Sequence, residues 1–249
     1  MTEPKINEDV KPRGMTSAYV EAPFDVAKEA LESRGYRIIS LKENARLRKQ
    51  EGKDAYVSRN GNWTREGFVY IPEKGIFLTK NSPIIDFPVE ATQCHRQGRE
   101  FYLNDEQIEK ALADSVQIPE NVKSISTKKF GEDKITVYAF GDIAQKYGDF
   151  LKDAGIKEMP IYLCNLEKKP FARQTWFWYL ALGSEFFGLW CLGSVYRLRG
   201  VSNENAEGVA QNFPGSKNLE IYTTEQINQA LTKAKLSGIE QLLFEKLRQ

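Results

Sequence analysis

The chain has 249 residues, of which 41% are hydrophobic and 28% charged, values that are typical of globular proteins and exclude a disordered or collagen-like chain. Its 35 Lys and Arg residues nearly balance 34 Asp and Glu, and the formal charge of +1 excludes a strong overall field for nucleic acid or anionic membranes. The three widely spaced cysteines argue against a disulfide framework, and the polar N-terminal region has no apolar signal segment, so we expect a cytoplasmic protein.

The first half of the chain is predicted to alternate short helices and strands. A disordered tail, 1–15, comes first, because these residues carry little that could be buried. Hydrophobic spacing then indicates a helix followed by a strand that ends at Leu41. The aromatic stretch Phe68–Leu78 is typical of a hairpin that turns at Glu73-Lys74-Gly75. A short helical turn, a strand and a capped helix, together 89–112, complete this half.

The second half repeats this order of elements at an offset of about 120 residues. Glu100–Leu112 matches Glu220–Leu231, each with a short strand, a capping residue and a helix with an i,i+4 apolar stripe. The helices that begin at Phe24 and Phe140 also correspond. We therefore predict an α+β fold of two tandem related lobes, each strand, helix, strand, hairpin, short helix, strand, helix. The predicted division is a first lobe at 16–118, a linker at 119–133 and a second lobe at 134–249.

Known catalytic and cofactor-binding motifs do not occur in the sequence. His95 is the only histidine, which excludes sites built from paired histidines. The cysteines lack the close spacing of zinc ligands. Phosphate-binding glycine loops, a G-x-S-x-G elbow and an H-E-x-x-H pair are missing as well. We therefore predict no metal and no cofactor, and the missing motifs favour a non-enzymatic protein.

A local excess of positive charge lies between Lys42 and Arg65, where seven basic residues occur with three acidic ones. Tyr56 and Trp63 lie among them, and arginines beside aromatic residues are typical of single-strand nucleic-acid binding. Glycine and asparagine residues indicate a loop that projects outwards. An ordinary solvated loop with Trp63 folded onto the core has the same composition. The predicted nucleic-acid-binding residues are Arg46, Arg48, Lys49, Arg59, Trp63 and Arg65.

The densest mixture of reactive polar groups surrounds His95. We assign His95 as a candidate acid or base, Glu100 as the residue that orients it, and Arg96 or Arg99 as an anion clamp. The simpler interpretation is a solvated short helix, because the corresponding segment of the second half contains no such set.

A run of aromatic and apolar residues covers Trp176–Tyr196 and contains a single charged residue, Glu185. The run resembles a short membrane span, but a charge at its centre disfavours insertion. Gly183-Ser184-Glu185 also suits a turn between two buried strands. We therefore expect a buried hairpin or an interface and do not expect a membrane span. The predicted interface residues are Trp176, Trp178 and Trp190.

The leading hypothesis is a non-enzymatic protein that binds a macromolecule, with the Lys42–Arg65 segment contacting single-stranded nucleic acid. Two alternatives stay open. One is a small-molecule enzyme with its site near His95, in a cleft between the lobes. The other is an interaction or assembly protein that binds a protein partner, or itself, through the Trp176–Tyr196 region.

Overall fold

Helices and strands are mixed along the chain, which confirms the prediction of an α+β protein. The computed structural model describes residues 4–10, 16–119, 121–178, 186–188 and 191–202. They belong to the first of two units of the chain, Met1–Asn203, and the second unit, Glu204–Gln249, lies outside the described residues. Within the described ranges, every helix is too short or too polar to cross a membrane.

The secondary structure of these ranges consists of short strands and helices. The strands are β1 (Ile6–Val10), β2 (Thr16–Ala22), β3 (Arg37–Ile38), β4 (Asn62–Ile71), β5 (Gly75–Thr79), β6 (Phe101–Tyr102), β7 (Ser115–Ile118), β8 (Ser124–Ser126), β9 (Glu158–Tyr162), β10 (Phe171–Phe177), β11 (Phe186–Phe187) and β12 (Tyr196–Ser202). The helices are α1 (Phe24–Glu32), α2 (Leu41–Glu51), α3 (Tyr56–Arg59), α4 (Pro83–Asp86), α5 (Pro88–Arg96), α6 (Asp105–Leu112), α7 (Lys134–Phe140) and α8 (Ala144–Asp153), with 3-10 turns at Thr127–Lys129 and Gly141–Ile143.

Local sequence signals determine where several helices begin. Ser40 precedes α2, where its hydroxyl accepts a hydrogen bond from the Glu43 N–H at 3.2 Å and the Glu43 carboxylate accepts one from the Ser40 N–H at 3.0 Å. Asn104 and Gln107 form the same reciprocal pair at the start of α6. Asp133 accepts hydrogen bonds from the first turn of α7. These bonds satisfy N–H groups that the start of a helix otherwise leaves without partners.

Strand β4 lies inside the sheet, whose main strand order is β1-β2-β12-β4-β10-β11-β9-β8. It pairs antiparallel with β5 and β10 and makes a short parallel bridge to β12. The hairpin predicted over Phe68–Leu78 is confirmed, since β4 and β5 pair across a turn in which Glu73 has a φ of 64°. Outside this main order, β7 pairs with β5, β3 with β12, and β6 with β10.

The two faces of the sheet are buried under different helices. Along β4, Phe68 and Tyr70 belong to a hydrophobic cluster that includes residues of α2, α7 and α8, which we name the α7 core. Val69 and Ile71 belong to a cluster that includes residues of α1 and α5, which we name the α1 core. Because side chains alternate between the faces of a strand, a strand that is covered on both sides is apolar along its length.

The predicted division into two tandem lobes with a linker at 119–133 is not shown by the structure. Strand β4 pairs with β10, so that Tyr70 lies opposite Phe171, and β12 pairs with the whole of β2. The predicted linker itself contains β8 and a 3-10 turn. Residues of both predicted lobes share one hydrophobic cluster, in which Phe68 and Tyr70 of β4 lie together with Phe140 of α7 and Tyr147 of α8. The repeated segment at 220–231 lies outside the described residues.

The N-terminal tail, expected to be disordered, contains a strand, which corrects that prediction for 6–10. Strand β1 pairs antiparallel with β2, with Ile6 opposite Val20. The carboxylate of Asp9 accepts two hydrogen bonds from Arg199, at 2.7 and 2.8 Å. Strand pairing and this buried ion pair provide contacts that the composition of the tail alone does not reveal.

Candidate functional site

The basic segment Lys42–Arg65 is not a projecting loop. It forms α2, α3 and the start of β4, and two of its six predicted nucleic-acid contacts, Arg48 and Trp63, are fully buried. The Arg48 guanidinium donates to the Phe177 carbonyl at 3.3 Å. Trp63 lies in the α1 core, where its ring centre is 5.0 Å from that of Trp176 in an edge-to-face contact. Neither side chain is available to a ligand at the surface.

The other four residues of that prediction are exposed, and carboxylates already hold two of them. Arg46 donates to both oxygens of Asp142, at 3.1 and 3.2 Å. Arg59 pairs with Asp54 at 3.1 Å. These ion pairs reduce the excess of positive charge that the sequence indicates. The remaining two residues are Lys49 and Arg65.

His95 lies inside the fold and anchors a backbone segment. It is 6% exposed, and its Nδ1 accepts a hydrogen bond from the Leu192 N–H at 3.2 Å. Burial, together with the positive charge of Arg173, lowers the pKa of His95 to about 4. The imidazole is therefore neutral near pH 7, and its Nδ1 lone pair is used to hold the chain at Leu192.

The residues expected to act with this histidine have other partners. Glu100 forms an ion pair with Arg173. Arg96 pairs with Asp25 at 3.6 Å, and Arg99 donates to the side chain of the glutamine two residues before it. The expected acid or base, its orienting carboxylate and its anion clamp are thus engaged in separate contacts.

The aromatic run predicted to be an interface is divided between core and surface. Trp176 is buried in the α1 core, with its ring centre 5.4 Å from that of Tyr196 and 6.1 Å from that of Trp178. Trp178 and Tyr196 are half-buried, and Val195 is 67% exposed. The third predicted interface residue, Trp190, lies outside the described residues.

An aromatic and basic surface that the sequence analysis missed lies beside β2 and β12. The rings of Tyr19 and Tyr56 stack with their centres 5.0 Å apart and an interplanar angle of 20°. The Arg197 guanidinium lies 5.1 Å from both ring centres, which is within the range of cation–π attraction. Tyr56 is 40% exposed. We name Tyr19, Tyr56 and Arg197 the tyrosine–arginine surface.

Strand pairing and two further contacts hold this surface in place. Tyr19 lies opposite Arg199, and Glu21 lies opposite Arg197, in the antiparallel pair of β2 and β12. Residues that lie opposite each other point to the same face of a sheet. Arg197 also forms an ion pair with Glu21 and donates to the Gly61 carbonyl at 3.1 Å. The guanidinium is therefore fixed against the two rings without a bound partner.

The Tyr19 hydroxyl stays protonated over the physiological pH range. Burial, followed by a hydrogen bond with Tyr56, raises the pKa of Tyr19 to about 12. A protonated phenol both donates and accepts hydrogen bonds. The surface therefore offers tyrosine rings, a neutral hydroxyl group and the exposed part of the Arg197–Glu21 ion pair, whose arginine side chain is 14% exposed.

Gly61 connects this surface to the tryptophans of the α1 core. Its carbonyl binds Arg197, as described above, and its Cα lies close to the indole of Trp176. A Cβ at position 61 would be 2.7 Å from Trp176 Nε1, a separation that real Cβ atoms do not show. Only glycine fits this position without moving the indole ring.

The part of the chain that the structure describes has no group of three or more His, Cys, Asp or Glu side chains that could hold a metal ion. The carboxylates of Glu21 and Asp9 are engaged by Arg197 and Arg199. The described side chains of this surface can contact a partner through aromatic rings and hydrogen bonds.

Alternation was the sequence signal for this surface. In Thr16–Ala22, small apolar residues alternate with Tyr19 and Glu21, which is typical of a half-buried strand. The partner of that strand is β12, and the hydrogen bond from Arg199 to Ser17 spans 182 positions of the sequence. Local patterns do not identify pairs at such a separation.

The architecture is similar to that of a solved protein, whereas the sequence matches no family model and no curated protein. The description of the solved structure reads "Accommodation of massive sequence variation in Nanoarchaeota by the C-type lectin fold". The two chains are 14% identical, with a TM-score of 0.57 over 81% of this chain and 99% of that one. This similarity shows a C-type lectin-like fold.

The prediction of nucleic-acid binding is wrong. The fold is similar to that of a C-type lectin protein. Arg48 and Trp63, expected to contact phosphates and bases, are buried, and carboxylates hold Arg46 and Arg59. The exposed aromatic residues leave the alternative of a protein-interaction function open.

Proposed function

We propose that the chain is a non-enzymatic binding protein that recognises a protein partner through the tyrosine–arginine surface. The observation that carries the proposal is the stack of Tyr19 on Tyr56 with Arg197 5.1 Å from both ring centres. Tyrosine, tryptophan and arginine are the residues that dominate the binding energy of protein interfaces. Tyrosine also gives a large contact area with only two side-chain torsions to order.

The fixed position of Arg197 supports this function. Ordering a flexible side chain during association costs about 0.5–1.5 kcal/mol. The ion pair with Glu21 and the bond to Gly61 already order this arginine in the free protein. Binding therefore loses less conformational entropy here than at an ordinary exposed arginine.

We propose that the contact extends to Trp178, Val195 and Tyr196. These residues are partly or largely exposed; Val195 and Tyr196 directly precede Arg197 in the chain, and Trp178 follows the end of β10. Trp176 has a supporting role, since it packs beneath Gly61 and contacts the other aromatic rings. Of these two residues of the predicted interface, Trp178 contacts the partner and Trp176 supports the surface from below.

The C-type lectin-like fold also suits a binding role. The solved neighbour is described as accommodating massive sequence variation, and it retains this architecture at 14% identity to the present chain. A scaffold that tolerates change in its side chains can present different surfaces to different partners.

We propose a cytoplasmic location for the protein. Cys94, Cys164 and Cys191 are all free thiols. Free thiols persist in reducing compartments such as the cytoplasm.

Site-specific photocrosslinking tests the proposed surface. A photoreactive phenylalanine analogue replaces Tyr56 in the full chain and, as a matched control, Tyr162, which is 43% exposed on β9. Cells that produce each variant are irradiated, and the crosslinked proteins are identified by mass spectrometry. We expect a protein that crosslinks from position 56 and not from position 162.

The affinity of that protein is then measured by calorimetry. We expect Tyr56→Ala to weaken binding at least tenfold, or about 1.4 kcal/mol, and Tyr162→Ala to leave it unchanged. Identical crosslinks from both positions, or a Tyr56→Ala affinity equal to that of the wild type, would overturn the proposal. Crosslinks to a second copy of the chain would show that its protein partner is the chain itself.

A further inference from the structure

A second exposed apolar surface lies where α1 contacts the start of α5. Val89 is 58% exposed, Phe87 is 40% exposed and Val26 on α1 is 36% exposed. We name Val26, Phe87, Pro88 and Val89 the apolar ridge. Neighbouring apolar side chains with this exposure mark interaction sites more often than isolated ones do.

Two concavities adjoin the ridge. One, of about 510 Å³, is lined by Pro88, Val89 and residues of α1. The other, of about 150 Å³, is lined by Phe87, Pro83 and residues of α6. Side chains at i, i+3, i+4 and i+7 of an amphipathic helix form the kind of apolar stripe that covers such a surface.

Each concavity also contains a carboxylate that could bind a cation. Glu29 lines the first and Glu106 lines the second, and neither forms an ion pair with another described residue. The nearby lysines are already engaged, because Lys28 pairs with Glu32 at 2.7 Å and Lys110 pairs with Asp86 at 2.8 Å. The ridge therefore adjoins two carboxylates that have no ion-pair partner among the described residues.

We propose that the apolar ridge docks a cationic amphipathic helix of a partner protein. The apolar side of that helix covers Phe87 and Val89, while its lysines or arginines reach Glu29 and Glu106. A second copy of the chain would bring like carboxylates together, and an anionic membrane would be repelled. The ridge shares no residue with the tyrosine–arginine surface, so this inference goes beyond the proposed function and does not depend on it.

A designed peptide tests this docking site. The probe is a fluorescein-labelled peptide of about 18 leucine and lysine residues, with leucines at i, i+3, i+4 and i+7. Fluorescence anisotropy gives its dissociation constant for the full chain at roughly 50 and 300 mM NaCl. We expect the peptide to bind less tightly at the higher salt concentration. The Val89→Asp substitution should weaken binding at least tenfold. The double variant Glu29→Gln, Glu106→Gln should weaken binding about fivefold and flatten its salt dependence.

Matched controls separate docking from non-specific attraction. Val137→Asp changes a valine that is 41% exposed on α7, and it should leave peptide binding unchanged. A peptide with glutamate in place of lysine should not bind. Equal affinity of the wild type and Val89→Asp, or equal binding of the glutamate peptide, would refute the proposal. So would a dimer in sedimentation velocity that Val89→Asp dissociates, because the occupant would then be a second copy. If circular dichroism shows that Val89→Asp is unfolded, the peptide affinity of the double variant Glu29→Gln, Glu106→Gln tests the proposal instead.

Discussion

The guanidinium carbon of Arg48 lies 4.1 Å from the centre of the Phe177 ring. Arg48 belongs to α2 and Phe177 ends β10, so this contact joins segments 129 positions apart in the sequence. The same guanidinium donates to the carbonyls of Phe177 at 3.3 Å and Asn60 at 3.4 Å. Burial lowers the pKa of Arg48, but an arginine side chain stays charged in proteins. A buried cation thus helps to hold α2 against the sheet.

We expect Arg48→Ala to lower the free energy of unfolding by about 3–4 kcal/mol. The substitution leaves a cavity and removes the donor from two carbonyls. Arg48→Lys should cost roughly 2 kcal/mol, because an ammonium group lacks the planar fork of the guanidinium. Urea unfolding measures both changes, with Arg59→Ala as the exposed control. An Arg48→Ala midpoint equal to that of the wild type would contradict this role.

Glu66 on β4 makes stability depend on pH. Its Oε2 accepts a hydrogen bond from the Leu41 N–H at 2.9 Å, and burial raises its pKa from 4.5 to about 7. The folded state therefore binds this proton more tightly than the unfolded chain, so stability falls as pH rises from about 4.5 to about 7. We expect Glu66→Gln to remove this loss. The free energy of unfolding of the variant relative to the wild type should be up to about 3 kcal/mol higher at pH 8 than at pH 4. Urea unfolding at both pH values tests this, and the exposed Glu109→Gln should show no such difference.

His95 has the opposite pH dependence. Its pKa is lowered from 6.5 to about 4, so the folded state binds fewer protons than the unfolded chain between these values. The stability that results from this lowered pKa is fully present above pH 6.5 and is lost as the pH falls through about 4. Because the chain has one histidine, a single set of imidazole NMR signals reports the titration without assignment. A midpoint near 6.5 would show that the side chain is accessible and that its bond to Leu192 is not formed.

A substitution at Gly61 tests the packing beneath the tyrosine–arginine surface. We expect Gly61→Ala to destabilise the protein by about 1–3 kcal/mol, since the new methyl group meets the Trp176 indole. The near-ultraviolet circular dichroism of the tryptophans should change, because the indole ring has to move. Thermal unfolding and the dichroism spectrum measure these effects. An unchanged spectrum together with wild-type stability would argue against the close approach of Gly61 and Trp176.

Local features of the fold could be predicted from the sequence. The β4–β5 hairpin follows from its aromatic pattern and from the turn at Glu73, because both signals lie within a few residues. The start of α6 follows from the capping residue Asn104 in the same way. The pairing of β4 with β10 has no such local signal, and the sequence analysis did not predict it.

The number of charges in the basic segment led to a wrong prediction of nucleic-acid binding. Counting charges in Lys42–Arg65 treats every arginine as exposed, whereas Arg48 is fully buried. A signal was present, since Leu41, Asn44, Ala45 and Arg48 are all buried at the i, i+3, i+4 and i+7 positions of one helix face. For the tyrosine–arginine surface the sequence signal was limited to the alternation in β2, because its residues come from β2, α3 and β12 and meet only in the folded sheet.

The position of β12 between β2 and β4 has a consequence for biosynthesis. On the ribosome, β2 is made early, but its neighbour β12 emerges about 180 residues later, which takes roughly 10–40 s at ordinary elongation rates. Throughout that interval the nascent chain exposes the unpaired edge of an interior strand, a state that is prone to aggregation. We therefore expect the yield of folded protein in a cell to depend on elongation speed and on chaperones that bind nascent chains.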